Sequence, residues 1–334
     1  MGFAEVLGHD RVKTILSSAL GHGRLPPALL FSGPDGVGKK ALALVCARAL
    51  VCERRRDDAC EQCASCMRAA RGLHPDVVLV EPDGATIKID RVRDVAREIG
   101  ARPFEARSRA FVIDEAHLLT EQAANALLKS LEEPCPTSHV LLVTAAPQAL
   151  LPTIRSRCQT LRVGTLPPAL LGEHLETRRG LPREEAHLRA VLSGGSLGAA
   201  LAFEPEAYRG LRDALLKLLE AIPRQGPFER MDAAQKLADV DDLPLALTAL
   251  RALLRDIAAL AAGAPEGSVL NADVVARLRA LAGGPLGRRA GELAASIAET
   301  REALRTNANP LLSMDVLMDR LAGQFVLAPA GAAC

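Results

Sequence analysis

Gly33-Pro34-Asp35-Gly36-Val37-Gly38-Lys39-Lys40 has the glycine and lysine spacing of a phosphate-binding loop, in which backbone N–H groups cradle phosphates at a helix N-terminus. Its last residue breaks the pattern. A Ser or Thr hydroxyl normally follows the lysine and holds Mg²⁺ against the β- and γ-phosphates. Lys40 stands there instead, with an ammonium that has no lone pair for a metal and repels it. The plainer reading of the segment is a Gly-rich strand–helix turn. Phe111-Val112-Ile113 runs into Asp114-Glu115-Ala116-His117, an apolar strand ending in two acids. In phosphate-loop ATPases such an Asp supports Mg²⁺ and such a Glu polarises the attacking water; otherwise the pair is a solvated strand end. Cys52, Cys60, Cys63 and Cys66 bring four thiols within fifteen residues through two overlapping C-x-x-C turns. Four thiolates suit a structural zinc ion with no open position, and an iron–sulfur cluster uses the same set; free thiols are the remaining reading. Cys46, Cys135, Cys158 and Cys334 are isolated. In Ser156-Arg157-Cys158, Arg157 is either an ordinary surface charge or an arginine finger for a neighbour's γ-phosphate.

Positioning these groups takes a particular set of elements. Ala28-Leu29-Leu30-Phe31, Val77-Val78-Leu79-Val80, Ala110-Phe111-Val112-Ile113 and Val140-Leu141-Leu142-Val143 are apolar on both faces, as strands of a parallel sheet covered by helices are. Thr160-Leu161-Arg162-Val163 is a weaker fifth. Helical segments alternate with them: Lys39 to Val51, Ile89 to Ile99, and Glu121 to Glu133 with Thr120 as N-cap and Pro134 as stop. This alternation predicts a doubly wound α/β domain, with the phosphate loop between a strand and a helix as its chemistry requires. Beyond Gly164 the strand signal fades. Leu166 to about Glu204 reads as a small helical unit, Ala207 to about Leu321 as all helix, and Val326 to Cys334 as a frayed tail.

Composition narrows the function. A chain of 334 residues, 49% hydrophobic, can bury more than one core. Trp is absent and aromatics are 2%, so base-stacking platforms are not expected. A net charge of +1 argues against a bulk electrostatic DNA binder. Of 41 basic residues seven are Lys, an imbalance that reads as composition bias and gives scattered arginines little weight. With no membrane-spanning run and no secretory signal, the expected location is the cytoplasm, where clustered cysteines point to metal rather than disulfides.

The order of these features resembles the bacterial clamp-loader subunits of the AAA+ class along nearly the whole chain: phosphate loop, four-Cys insert, Asp-Glu-Ala-His, the helix Asn125-Ala126-Leu127-Leu128-Lys129-Ser130-Leu131-Glu132-Glu133-Pro134, Ser156-Arg157-Cys158, and the late Asn309-Pro310-Leu311-Leu312. Within that family the chain looks most like the delta-prime branch. Lys40, the Ala145-Ala146 pair after Thr144, and Gly198 each stand where the gamma/tau motors place a group that contacts metal or nucleotide. Cys52 is the least secure ligand, because the first Cys spacing is one residue shorter than the family's usual form. The resemblance implies an AAA+ domain over 1–164 with a zinc insert at 52–66, a helical lid over 165–205, a collar over 206–325 that joins a five-subunit ring, and a flexible tail over 326–334. It implies the delta and gamma/tau subunits, the sliding clamp and primed DNA as partners in a hetero-oligomer within the DNA polymerase III holoenzyme, away from membranes. The subunit itself is expected not to hydrolyse ATP. Nucleotide in its degenerate site would be bound by Gly33, Gly36, Gly38, Lys39 and Lys40, with Asp114 and Glu115 vestigial and Arg157 acting on a neighbour. A hydrolysing gamma/tau-type motor and a purely structural adaptor are the alternatives.

Overall fold

The computed structural model describes residues 2–305 and 308–323; the expected tail, with Cys334, lies outside them. The chain forms two compact units, Met1–Ala202 and Phe203–Cys334.

The first unit is built on a five-stranded parallel sheet of β1 (Ala28–Ser32), β2 (Val77–Val80), β3 (Arg109–Ile113), β4 (Ser138–Thr144) and β5 (Gln159–Arg162). Their spatial order is β2-β3-β4-β1-β5. The strands read as unbroken apolar runs because both faces are covered. Leu29, Phe31, Val112, Leu141 and Val143 pack with Leu16 of α1 (Asp10–Gly21) and with Leu42 and Val45 of α2 (Lys39–Val51). The alternate residues Leu30, Phe111, Ile113, Val140 and Leu142 pack with Val92, Val95 and Ile99 of α4 (Ile89–Ile99) and Leu127 and Leu131 of α5 (Glu121–Glu132). Short α3 (Ala64–Ala70) lies between α2 and β2 in the chain. Edge strand β5 buries only Leu161 of its four residues, which is why its sequence signal is weak. Thr120 caps α5, its hydroxyl accepting from the Ala123 N–H at 3.3 Å.

This topology decides where chemistry can occur. β1 lies between β4 and β5: the chain leaves it toward β2 on one side and later crosses from β4 to β5 on the other, and a crevice opens at the carboxyl ends of the strands. The phosphate loop, Asp114 and Thr144 follow β1, β3 and β4 onto that rim. After α6 (Pro152–Arg157) and β5, α7 (Pro168–Arg179), α8 (Arg183–Leu192) and α9 (Leu197–Ala202) close on a small core of Leu166, Leu171, Leu175, Ala186, Ala190 and Ala200.

The second unit is helical: α10 (Pro205–Ala221), α11 (Pro227–Ala238), α12 (Leu243–Ala261), α13 (Val275–Ala282), α14 (Pro285–Arg305) and α15 (Pro310–Ala322). α12 buries Leu247, Leu250, Leu253, Leu254 and Ile257. Its fully enclosed Asp256 accepts hydrogen bonds from the N–H groups of Leu270 and Asn271 and from the Asn271 amide, while Tyr208 donates to Asn271 at 2.8 Å. Burying such groups is tolerable because each finds a partner. α15 starts at an Asn309 cap followed by Pro310.

Candidate nucleotide-type site and cysteine cluster

The phosphate loop has the backbone its glycines allow. Gly36 and Gly38 have φ of +68° and +105°, conformations that other residues adopt only with strain. A Cβ on Gly33 would meet the Val163 carbonyl at 1.9 Å. The loop borders a cleft of about 450 Å³ shared with Asp114, Glu115, Arg48 and Val143. Lys39 is buried, and its ammonium donates to the Pro34 carbonyl at 2.7 Å with Asp35 at 3.7 Å. Burial pulls its pKa down, against the opposing pull of Asp35, Glu115 and Asp114.

Lys40 decides the character of the site. In β2 and β3, Val80 pairs with Ile113, so the next residues, Glu81 and Asp114, emerge side by side. The Lys40 ammonium sits on both, 2.5 Å from Glu81 and 2.9 Å from Asp114. Burial lowers its pKa, but the hydrogen bonds and charges of these two acids more than offset that and raise it. Glu115, with φ of +46°, has its pKa raised by burial and then by the neighbouring Asp114 and Asp35. His117 lies 3.5 Å from Glu115 and 3.2 Å from the buried Thr144 hydroxyl, which also accepts from the Ala146 N–H.

Helix α9 bears directly on the loop. The Gly198 N–H donates to the Gly36 carbonyl at 2.9 Å. A Cβ on Gly198 would stand 3.0 Å from Gly36 Cα, so the residue at the expected nucleotide-contacting position is a close backbone contact with the phosphate loop. On the other side, His9 donates from Nε2 to the Val37 carbonyl at 2.8 Å. Neither contact was expected from the sequence, because both join segments far apart in the chain.

Arg157 ends α6 and is one-third exposed. One guanidinium nitrogen bonds Glu132 at 2.6 Å and the other donates to the Thr153 carbonyl at 3.0 Å. Glu132 is the last residue of α5, so the α5 motif and the Ser-Arg-Cys triplet meet through this pair.

Cys52, Cys60, Cys63 and Cys66 come together with their Sγ atoms all within 4.8 Å of one another, so Cys52 joins the other three despite its short spacing. The N–H groups of Arg55, Cys63 and Cys66 donate to the sulfurs of Cys52, Cys60 and Cys63 at 3.3–3.4 Å. Desolvation would raise the Cys60 thiol, but N–H donors from Gln62 and Cys63 bring it down to about 6, whereas burial and its neighbours push Cys66 up. Such a cluster favours shared negative charge, and the donor set fits one tetrahedral Zn²⁺. Arg107 donates to the Cys52 carbonyl at 2.6 Å, and Asp58 accepts from the Phe3 N–H, tying the insert to two distant segments. Cys46 and Cys158 are buried elsewhere, their thiols pushed up to about 12 and about 11 by desolvation.

Residues 8–167 match the family described as DNA polymerase III, delta subunit. DNA polymerase III subunit delta' of Bacillus subtilis is 34% identical over 215 residues, 64% of this chain and 64% of that protein. Over this stretch the chain is similar to clamp-loader subunits of the delta-prime type. The alignment thus spans just under two thirds of the Bacillus protein's length. Gamma/tau subunits are similar as well: DNA polymerase III subunit gamma/tau of Mycobacterium tuberculosis is 37% identical over 199 residues, 58% of this chain and 34% of that protein. A solved gamma-subunit-related protein from Thermotoga maritima is 20% identical with a TM-score of 0.37, covering 94% of this chain and 98% of that one. Against the pattern of a metal-using phosphate-loop ATPase, the Lys40 contacts are where this chain departs. No described helix is long and apolar enough to cross a membrane.

Proposed function

We propose that this chain is the stator of a cytoplasmic clamp loader: a subunit that does not hydrolyse ATP and lends Arg157 to the ATP site of an adjacent motor subunit. The ammonium of Lys40 lying on both Glu81 and Asp114 carries this reading. A phosphate-loop ATPase needs a hydroxyl and an Asp to hold its metal; here the hydroxyl is absent and the Asp is neutralised. The Mg²⁺ of that class therefore does not fit these residues. Glu115 has lost its partner chemistry, and Thr144 with Ala145-Ala146 offers the site only a hydroxyl already engaged by His117. By contrast Arg157 is held in position by Glu132 while remaining partly open.

In this reading the helical unit from Phe203 onward is the collar that holds the subunit in a pentameric ring with delta and gamma/tau-type subunits. The motors then open the sliding clamp and place it on primed DNA. Zn²⁺ on Cys52, Cys60, Cys63 and Cys66 is structural. An in-trans arginine finger contributes on the order of 10³–10⁵ in rate by stabilising transition-state charge. Arg157→Ala should therefore assemble normally in a reconstituted loader and fail to load clamps; normal loading would refute the finger role. The intact Lys39, Asp114 and Glu115, together with the gamma/tau relatives, favour a second reading as an ATP-hydrolysing motor. That reading requires Mg²⁺-dependent turnover abolished by Lys39→Ala.

A further inference from the structure

Glu81 and Asp114 are placed together by the parallel register of β2 and β3, at the spot where this class of site carries its metal. Lys40 projects from the first turn of α2 onto both carboxylates. An ammonium has three donors and no lone pair. Two donors are committed here, and position 40 itself offers no hydroxyl. Mg²⁺ demands near-octahedral oxygen ligation, so it could enter only by expelling Lys40 and losing both ion pairs. Asp114 is the more enclosed acid, with its side chain 11% exposed, and leaving it unpaired would cost more than exposing Glu81.

We infer that Lys40 is the resident cation of this site, so that Mg²⁺ neither binds between Glu81 and Asp114 nor strengthens nucleotide binding by the loop. The inference rests on reading residues 33–40 as a degenerate nucleotide loop. It makes Lys40 a specificity-determining residue and the absence of metal dependence reversible by a single substitution. Lys40→Thr removes the cation, frees Asp114 and Glu81, and supplies the hydroxyl. Gly36, Gly198 and the α9 contacts stay unchanged, so any difference between the two proteins reads Lys40 alone.

The test is a titration of the full chain and of Lys40→Thr with fluorescently labelled ADP, in Mg²⁺ and in EDTA; Lys40→Ser replaces the Thr variant should that variant not fold. The native chain should show the same affinity, or the same lack of binding, in both media. The variant should bind at least about tenfold more tightly in Mg²⁺ than in EDTA. A Mg²⁺-dependent gain in the native chain would overturn the inference, since Lys40 would then yield to metal. A variant that binds ADP equally in both media would overturn it too, while leaving the loop reading intact. A variant that binds ADP in neither medium would overturn the inference together with the loop reading.

Discussion

Gly36→Ala measures whether α9 rests on the phosphate loop. Gly36 has φ of +68°, so an alanine there carries the left-handed penalty of about 1–2 kcal/mol. Its Cβ would also lie 2.4 Å from the Ser196 hydroxyl and 3.1 Å from Gly198 Cα. The hydroxyl can turn away, but the Gly198 backbone is fixed by its 2.9 Å hydrogen bond to the Gly36 carbonyl. Overpacking of this kind adds about 1–3 kcal/mol. Gly180 supplies the control: its φ is +66°, and nothing lies within 4 Å of an added Cβ. Gly180→Ala should therefore cost the backbone penalty alone. Taking about 2 kcal/mol for the contact, Gly36→Ala should melt roughly 4–8 °C below Gly180→Ala for a unit of this size. Thermal unfolding by circular dichroism gives the midpoints. Hydrogen exchange over residues 196–202 should accelerate in Gly36→Ala and not in Gly180→Ala. Equal midpoints with unchanged exchange over residues 196–202 would refute the contact.

The cysteine cluster and the buried acids give further expectations. The purified chain should carry one zinc ion by elemental analysis; Cys63→Ser should lose it and fall in thermal midpoint, while Cys46→Ser should keep it, because Cys46 is buried away from the cluster. Asp76 accepts from the N–H groups of Phe104, Glu105 and Ala106 at 2.7–2.9 Å. Burial would raise its pKa, but these donors and Arg109 hold it below the ordinary 3.8. Its stabilisation is thus complete above about pH 4 and is lost as pH falls through the lowered folded value. Asp76→Asn should cost about 3 kcal/mol at neutral pH and flatten the acid limb of the stability profile, measured by denaturant titration. An acid limb as steep as the native one would show that another carboxylate controls it.

The sheet was legible because its strands are covered on both faces: runs such as Ala110–Ile113 stay apolar at every position and stand out without alternation. The phosphate loop, Asp114, Glu115 and the four cysteines were legible because each is local, held by spacing within one turn or loop. Glu81 was not, although it follows an apolar strand as Asp114 does. Only the adjacency of β2 and β3, with Val80 opposite Ile113, makes it a second ligand for Lys40. Gly198 was legible as a missing arginine, but not as a contact surface, because its partner Gly36 lies 162 residues earlier. Glu132, Arg107 and Asp58 were missed likewise: a surface acid or arginine carries no signal of its distant partner.

ATP turnover by the reconstituted loader, stimulated by clamp and primed DNA, with Lys39→Ala in this subunit alone, tests the stator role most directly. Lys39 is the one loop side chain that every phosphate-loop ATPase requires. With the site retired, turnover and clamp loading remain at the native level. A proportionate loss of turnover would mean that Lys40 gives way to metal and that this chain is itself a working ATPase.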